Sequence, residues 1–458
     1  MPNDLALRLA DWAHSAYTHA EVPYSALAAA GLHLVDTIAV AIAGAGEPPV
    51  ESMRRATRTH GGAGRLALVL GTAAHALDYD NAQTPSLVHP SCVIVPTAVA
   101  ATAGRPDRGP GKLLHALAVG EEISLWLGET AVADGNSILF ERGFHPTAVC
   151  TPIGAAVTAG LLRGLNPDEL AHAIGTAASL SGGILEGNRT GGQTKPMHAG
   201  FASAAGIFAA DLAAAGATAP PTSLEGRFGF LHAFLGVDPA AIQWPFDRAE
   251  GWRLESVVTK PYPTNGFIHS SIDAALLLRE QGFRLEPGAR LQIGVAEPVL
   301  RTIAFPEASK YAPSDAYAAR FSGPVVVAIA MLGGSGLGVG LADFDGVNGP
   351  DETVLAAAQQ VRFAADPHAS AAFPKHVVSI AAGIDGDGNQ YHARIGTGRG
   401  SPENPLSTRE LFMKFEDCVA PRLGTSASTA LWDNLQSGIS GDGTTLATAI
   451  FTFTALFD

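Results

Sequence analysis

A histidine or lysine stands directly before a proline four times: His89-Pro90, His145-Pro146, Lys195-Pro196 and Lys260-Pro261. Imidazole and ammonium groups exchange protons and hold anions, so the four pairs set out equipment for acid–base chemistry on a negatively charged ligand. Three of the pairs open a run with helical texture, where a first-position proline has its φ preset and gives up only an N–H without a helical partner. A cation at a helix start opposes the dipole by about 0.3–1 kcal/mol. A penalty repeated three times predicts a purpose, namely helix N-termini and basic side chains converging on a carboxylate or phosphate.

Other chemistries lack their minimum residues. The chain has no H-E-x-x-H, no G-x-x-x-x-G-K-[ST] and no G-x-S-x-G, which removes the zinc-peptidase, P-loop and hydrolase-elbow readings. The glycines from Gly333 to Gly340 miss the spacing of a dinucleotide loop,. Cys92, Cys150 and Cys418 are far apart and form no C-x-x-C pair, which argues against a disulfide framework, a structural zinc or an iron–sulfur cluster and predicts a reducing compartment. The expected cofactor set is therefore none.

The elements that must position these residues are mostly helices. Residues 1–257 read as helical: an amphipathic run follows Asn3, and others cover 27–43, 89–103, 147–163 and 196–215, several ending at a glycine,. Their wealth of Ala, Gly, Ser and Thr suits close helix packing. Beyond Pro263 the texture changes. A helix at 270–281 leads to alternating segments at 290–295, 361–363 and 377–380, and the Asp385-Gly386-Asp387-Gly388 turn before Tyr391–Ile395 predicts a hairpin,. The fold class is mainly α with a smaller α+β domain. The expected domains are 1–257 with 405–458, helical, and 258–404, α/β.

A net charge of −14 over 458 residues, with only 29 Lys and Arg, argues against nucleic acid or an anionic membrane surface as partner,. Phe321 to Ala342 carries no charge and is long enough to span a bilayer, yet five glycines crowd its second half; it reads as a buried helix at 323–332 followed by a loop. Asp4, Arg8 and Asp11 interrupt the first apolar positions, unlike a signal peptide. A cytoplasmic protein is the expectation.

Five motifs in order, His75-Ala76-Leu77-Asp78-Tyr79-Asp80, His89-Pro90-Ser91, Gly143-Phe144-His145-Pro146-Thr147, Thr194-Lys195-Pro196-Met197-His198 and Lys260-Pro261-Tyr262-Pro263 with His269, resemble the MmgE/PrpD superfamily. Gly120-Glu121-Glu122 and Leu224-Glu225-Gly226 look like further family landmarks. Members dehydrate 2-methylcitrate, decarboxylate cis-aconitate or epimerise iminodisuccinate. The resemblance implies a large helical domain built from the N-terminal part and the C-terminal tail, an inserted α/β lid, a homodimer, and an active site between the domains that is metal-free in the best-known members.

By the same resemblance, Asp78, His89, His145, Lys195 and His269 are the candidate catalytic residues, and His198, Lys260 and Tyr262 the substrate-binding ones. Arg189, in the Gly187–Gly192 loop, is a further candidate clamp for a carboxylate. Each has a plain structural reading beside it: a histidine before proline is ordinarily a cap or loop residue, Tyr262 can be packing, Lys260 a surface cation, and His198 a residue bonded one turn into its helix. Asn81 and Ala82 stand where many members have Asp and then Thr or Ser, which predicts one absent polar contact. Leu70 stands where Asn is common, in a segment before Gly71 shorter than usual, which puts a loop or strand there in question.

Dehydration, decarboxylation and epimerisation of a polycarboxylate all build negative charge beside a carboxylate, and cations with helix N-termini stabilise it. The expected function is a metal-independent, 2-methylcitrate dehydratase-like hydro-lyase acting on a small di- or tricarboxylate by His/Lys/Asp chemistry. The alternatives are an epimerase or isomerase, a decarboxylase, and a silent anion-binding member.

Overall fold

The computed structural model describes residues 4–103, 110–187, 191–246, 251–344, 350–441 and 443–457. The chain forms two compact units. The first comprises Met1–Ala76, Asp80–Val257 and Val419–Asp458; the second comprises Leu77–Tyr79 and Val258–Cys418.

The first unit is built from helices. Thr194–Ala214 packs against both Gly62–His75 and Pro146–Arg163, and Pro110–Thr130 packs against Pro146–Arg163. These approaches are close because small residues line them. A Cβ on Gly120 would run into Thr158 Oγ1, and one on Gly71 would lie 2.8 Å from the carbonyl oxygen of Ala199, nearer than packed atoms tolerate. Gly62–His75 is one continuous helix, so the stretch around Leu70 is neither loop nor strand. Its packing face needs Gly71, and Leu70 beside it is fully buried.

Helix starts depart by a residue or two from the prolines. Pro90 is the N-cap of Ser91–Thr102, whereas Pro146 is the first residue of its helix with His145 as N-cap. Thr194–Ala214 begins one residue ahead of Lys195, which therefore lies inside the first turn. Lys260-Pro261 opens no helix; it leads into a bend.

The second unit holds a four-stranded sheet in the order Val361–Ala365, Arg290–Val295, Ser379–Ile384, Gln390–Ile395. The first pair is parallel and the other two are antiparallel, with Ala381 opposite Ala393 in the hairpin. Helix His269–Glu280 lies against the two C-terminal strands. Its residues Ile272, Ala275 and Leu278 join Leu291, Ile293 and Phe283 in an apolar core. Gly323–Leu332 is the buried apolar helix, and Gly333, in the left-handed region at φ 97°, ends it,.

Among the described residues, two helices are long and apolar enough to cross a membrane by length and composition, Tyr24–Gly44 and Thr194–Ala214. Of their apolar windows, 72% and 56% are buried.

Candidate active site

In the first unit four imidazoles gather near one carboxylate. His75 Nδ1 lies 2.8 Å and His89 Nδ1 2.9 Å from the same Asp80 oxygen, Oδ2. The His75 ring stacks on His145 at 5.4 Å between centroids, and His145 Nδ1 is 3.2 Å from His198 Nδ1. The elements place them simply. His75 ends helix Gly62–His75, His145 caps Pro146–Arg163, and His198 lies one turn inside Thr194–Ala214. His89 precedes the N-cap of Ser91–Thr102, and its N–H donates to Thr147 Oγ1 at 2.9 Å.

Hydrogen-bond logic assigns the tautomers. A carboxylate only accepts, so His75 and His89 both present Nδ1–H to Asp80, and in the neutral ring Nε2 is left as the basic nitrogen. Of the three side chains in this group, His89 is the one that solvent reaches, at 14% exposed. Between His145 and His198 one Nδ1 donates and the other accepts, so these two rings hold opposite tautomers.

Electrostatics keep the cluster mostly neutral. Burial pushes His75 down to about 4, against the attraction of Asp80, and the Lys195 ammonium adds to the depression. Burial likewise holds His145 well below the ordinary imidazole range, with His75 and Lys195 contributing. His198 is lowered by burial and by Lys195. Burial pushes Asp80 upward, but His75 and His89 together outweigh it and hold the carboxyl well below its usual range. The rings rest neutral with a free nitrogen each, and an anion bound beside them would offset the Lys195 charge and raise their basicity toward the working range.

The second unit holds its own polar group. Lys260 Nζ donates to the carbonyl oxygen of Asp78 at 2.7 Å and to its carboxylate at 3.1 Å, all buried. Asp78 has φ 53°, an uncommon backbone for a residue with a side chain,. Lys414, also buried, donates to the Tyr79 carbonyl at 3.1 Å and lies 4.3 Å from the centre of the Tyr79 ring. His269 Nε2 is 3.2 Å from the Thr264 carbonyl, and burial with Lys260 nearby pushes its pKa down to about 3. Tyr262 is wholly buried; its hydroxyl donates to Asp273 at 2.6 Å and accepts from Arg399. Arg189 lies outside the described residues.

Thus His89, His145, Lys195 and His198 share one neighbourhood in the first unit, while Asp78, Lys260 and His269 share another in the second. His75, Asp80 and Lys414 belong to these groups and are not among the sequence candidates. Lys414 carries a readable signal: with Leu411, Phe415 and Cys418 it falls on the i, i+3, i+4, i+7 stripe of helix Thr408–Leu423, where a solvated lysine does not belong,. His75, Asp80 and His89 also have donor atoms within 4.8 Å of one another, a set that could hold a metal ion,. Of the two departures from the family motif, Asn81 and Ala82, the first keeps a polar contact. Asn81 Nδ2 donates to Ser91 Oγ at 2.7 Å.

Buried histidines sharing a carboxylate beside a lysine, on a bundle of small-residue helices, are the equipment of proton transfer beside an anion. The family follows from comparison with known proteins: residues 7–243 match the MmgE/PrpD N-terminal domain and residues 262–434 the MmgE/PrpD C-terminal domain. The chain belongs to the MmgE/PrpD family. Among similar curated proteins is cis-aconitate decarboxylase of Homo sapiens, 32% identical over 219 residues, 47% of this chain and 44% of the human protein. That of Mus musculus is 27% identical over 354 residues, 76% of this chain and 70% of the mouse protein. That of Aspergillus terreus is 27% identical over 288 residues, covering 57% of this chain and 58% of the fungal protein. The matched stretch thus spans less than half the length of the human relative and just over half that of the fungal one.

Proposed function

We propose that this protein is a lyase acting on a small di- or tricarboxylate through its own histidines, lysines and aspartates. The observation that carries the reading is the pair of imidazoles bound through Nδ1 to Asp80 Oδ2, one of them, His89, partly open to solvent. An Asp–His pair fixes the ring's tautomer and supports the imidazolium that forms when Nε2 takes a proton. Lys195, at a helix start, supplies a cation for a substrate carboxylate, and Lys260 is the candidate for another.

Two reactions share this equipment. A hydro-lyase of the 2-methylcitrate dehydratase kind takes a proton from carbon next to a carboxylate and releases hydroxide as water. A decarboxylase breaks a C–C bond, leaves the electron pair on carbon and returns a proton there as CO2 departs. The activity for which the similar proteins are named, cis-aconitate decarboxylation, favours the second as the first to test. We also propose a cytoplasmic homodimer; three buried cysteines, none in a disulfide, suit a reducing compartment,.

The test is proton NMR of the purified protein in deuterated water with cis-aconitate, citrate, 2-methylcitrate and iminodisuccinate in turn, with and without a chelator. The expected outcome is a new alkene signal or loss of CO2 that survives the chelator. Deuterium incorporation without net conversion makes it an epimerase, and loss of activity to the chelator assigns the His75–Asp80–His89 set to a metal. No turnover, with thermal stabilisation by an acid, makes it a binding protein. Replacing His145 or Lys195 with Ala is expected to lower kcat/KM by about 10²–10⁴-fold; wild-type turnover in both would overturn the site.

A further inference from the structure

Gly120-Glu121-Glu122 stands out in the sequence without a part in the chemistry, and the structure gives each residue different work. Gly120 lets helix Pro110–Thr130 approach Pro146–Arg163. Glu122 holds Arg253 at 2.7 Å. Glu121 lies at the centre of a buried chain: His33 Nδ1 is 2.6 Å from its Oε2, Ser91 Oγ donates to its Oε1 at 2.6 Å, and Asn81 Nδ2 donates to Ser91 Oγ at 2.7 Å. All four side chains are buried.

The first two members of this chain flank the Asp80–His89 pair. Asn81 follows Asp80, and Ser91 comes two residues after His89. Two parallel side-chain links, Asp80 to His89 and Asn81 to Ser91, therefore tie the same two segments together. The chain also has a direction. Ser91 has one hydroxyl hydrogen and gives it to Glu121, so its lone pair must receive a donor from position 81. An amide supplies that donor. A carboxylate at position 81 would leave two acceptors competing for one hydrogen, and one of the acids would have to carry a proton of its own.

We propose that Asn81, Ser91, Glu121 and His33 form a positioning chain whose polarity holds His89 on Asp80 with Nε2 as its basic nitrogen, and that Asn81 is the residue matched to the carboxylate of Glu121. The proposal rests on the acid–base reading of His89 but is separately testable. Asn81→Asp sets two acceptors against Ser91. The double variant Asn81→Asp with Glu121→Gln reverses the run of hydrogens through Ser91 and satisfies every bond. The amide introduced at position 121 donates to Ser91 and accepts from His33 through its oxygen, while Ser91 donates to the carboxylate introduced at position 81.

The experiment combines three readouts on the full chain: long-range 15N–1H spectra of the histidine rings, with His89 assigned through His89→Gln; thermal melting from neutral to alkaline pH; and steady-state kinetics with cis-aconitate. For Asn81→Asp the expected results are a His89 ring no longer held as the Nδ1–H tautomer, and a kcat lowered roughly 10- to 100-fold with KM little changed. Its melting temperature should fall as pH rises, because the added acid keeps its proton in the folded state at the lower pH. The double variant should restore the His89 spectrum, the flat melting profile and most of kcat. If Asn81→Asp does not fold at alkaline pH, recovery of folding in the double variant is the same result. Unchanged His89 signals in Asn81→Asp, or a double variant no better than the single one, would overturn the positioning chain. If no acid is turned over, or His89→Gln keeps full activity, while the ring spectra respond as expected, the chain stands and the acid–base reading falls.

Discussion

At the level of single residues, the burial of uncharged imidazoles dictates a pH dependence. Above pH 6.5, the ordinary imidazole value, His75 is neutral whether the chain is folded or not; below it the unfolded chain takes up a proton that the folded protein refuses until about pH 4. His269 behaves alike down to about 3, and His145 adds in the same direction. Stability should therefore fall as pH drops from about 6.5 to 4, since the unfolded state binds more protons there. Asp80 adds to the loss only at lower pH, as the unfolded chain protonates near the ordinary carboxyl value while its depressed pKa keeps it ionised in the fold. Melting curves from neutral pH down to 4 test this: the wild-type transition should move down through the window set by His75, and His75→Gln should flatten the slope. An unchanged midpoint across it would mean these rings are solvated. The residues preceding proline are legible in the sequence because an unfavourable cation at a helix start is a local signal. His75 and Asp80 give no such signal. Their role depends on a helix end and a turn bringing one oxygen between two rings, and nothing in the motif itself ranks Asp80 above Asp78.

The elements that hold the second group are only partly legible. Helix His269–Glu280 and the hairpin follow from periodicity and an Asp-Gly turn, whereas the turn that fixes Lys260 lies far along the chain. Thr259 N–H donates to the Gly400 carbonyl at 2.9 Å, and Arg399 bonds both Tyr262 and Asp273. Gly398-Arg399-Gly400 thereby grips the 259–262 segment from both ends. Gly400 has φ 84°, and a Cβ there would strike the Thr259 carbonyl. Gly400→Ala should then cost about 1–3 kcal/mol through backbone strain alone, and more if Thr259 cannot yield. Urea unfolding measures that loss. Because Thr259 precedes Lys260, the same variant should raise KM for a carboxylate substrate, while Arg399→Lys, which keeps the charge but not the fork, should do so with less loss of stability. Wild-type KM in both would mean that the grip serves folding only. No sequence pattern announces such a contact, since its two sides are separated by the whole sheet and the helices between its strands.

For the molecule as a whole, one face of the first unit is left open. Helix Thr194–Ala214 buries one side against its neighbours, but Phe201 is 50% and Phe208 56% exposed. With half-buried Met197, Ala204, Ala205 and Leu212 they follow the spacing of a single apolar stripe, three or four residues apart,. Aromatic side chains in such a row mark a surface that another protein covers, and a helix that meets its own copy about a twofold axis presents the same stripe to itself. A stable interface needs about 800 Å² from each partner, to which two aromatic rings of about 150–250 Å² each make a large contribution. The proposed homodimer should therefore form through this helix. Phe201→Glu with Phe208→Glu is expected to give a monomer in sedimentation velocity while circular dichroism stays that of the folded protein, because exposed substitutions away from special features change stability by only about 0.5 kcal/mol. A wild-type protein that sediments as a monomer at micromolar concentration, or a double variant that still dimerises, would assign the stripe another role. The consequence for catalysis follows from the same helix, whose first two turns carry Lys195 and His198. Removing the partner that braces its middle should loosen those two side chains, so the monomeric variant is expected to lose turnover without losing its fold.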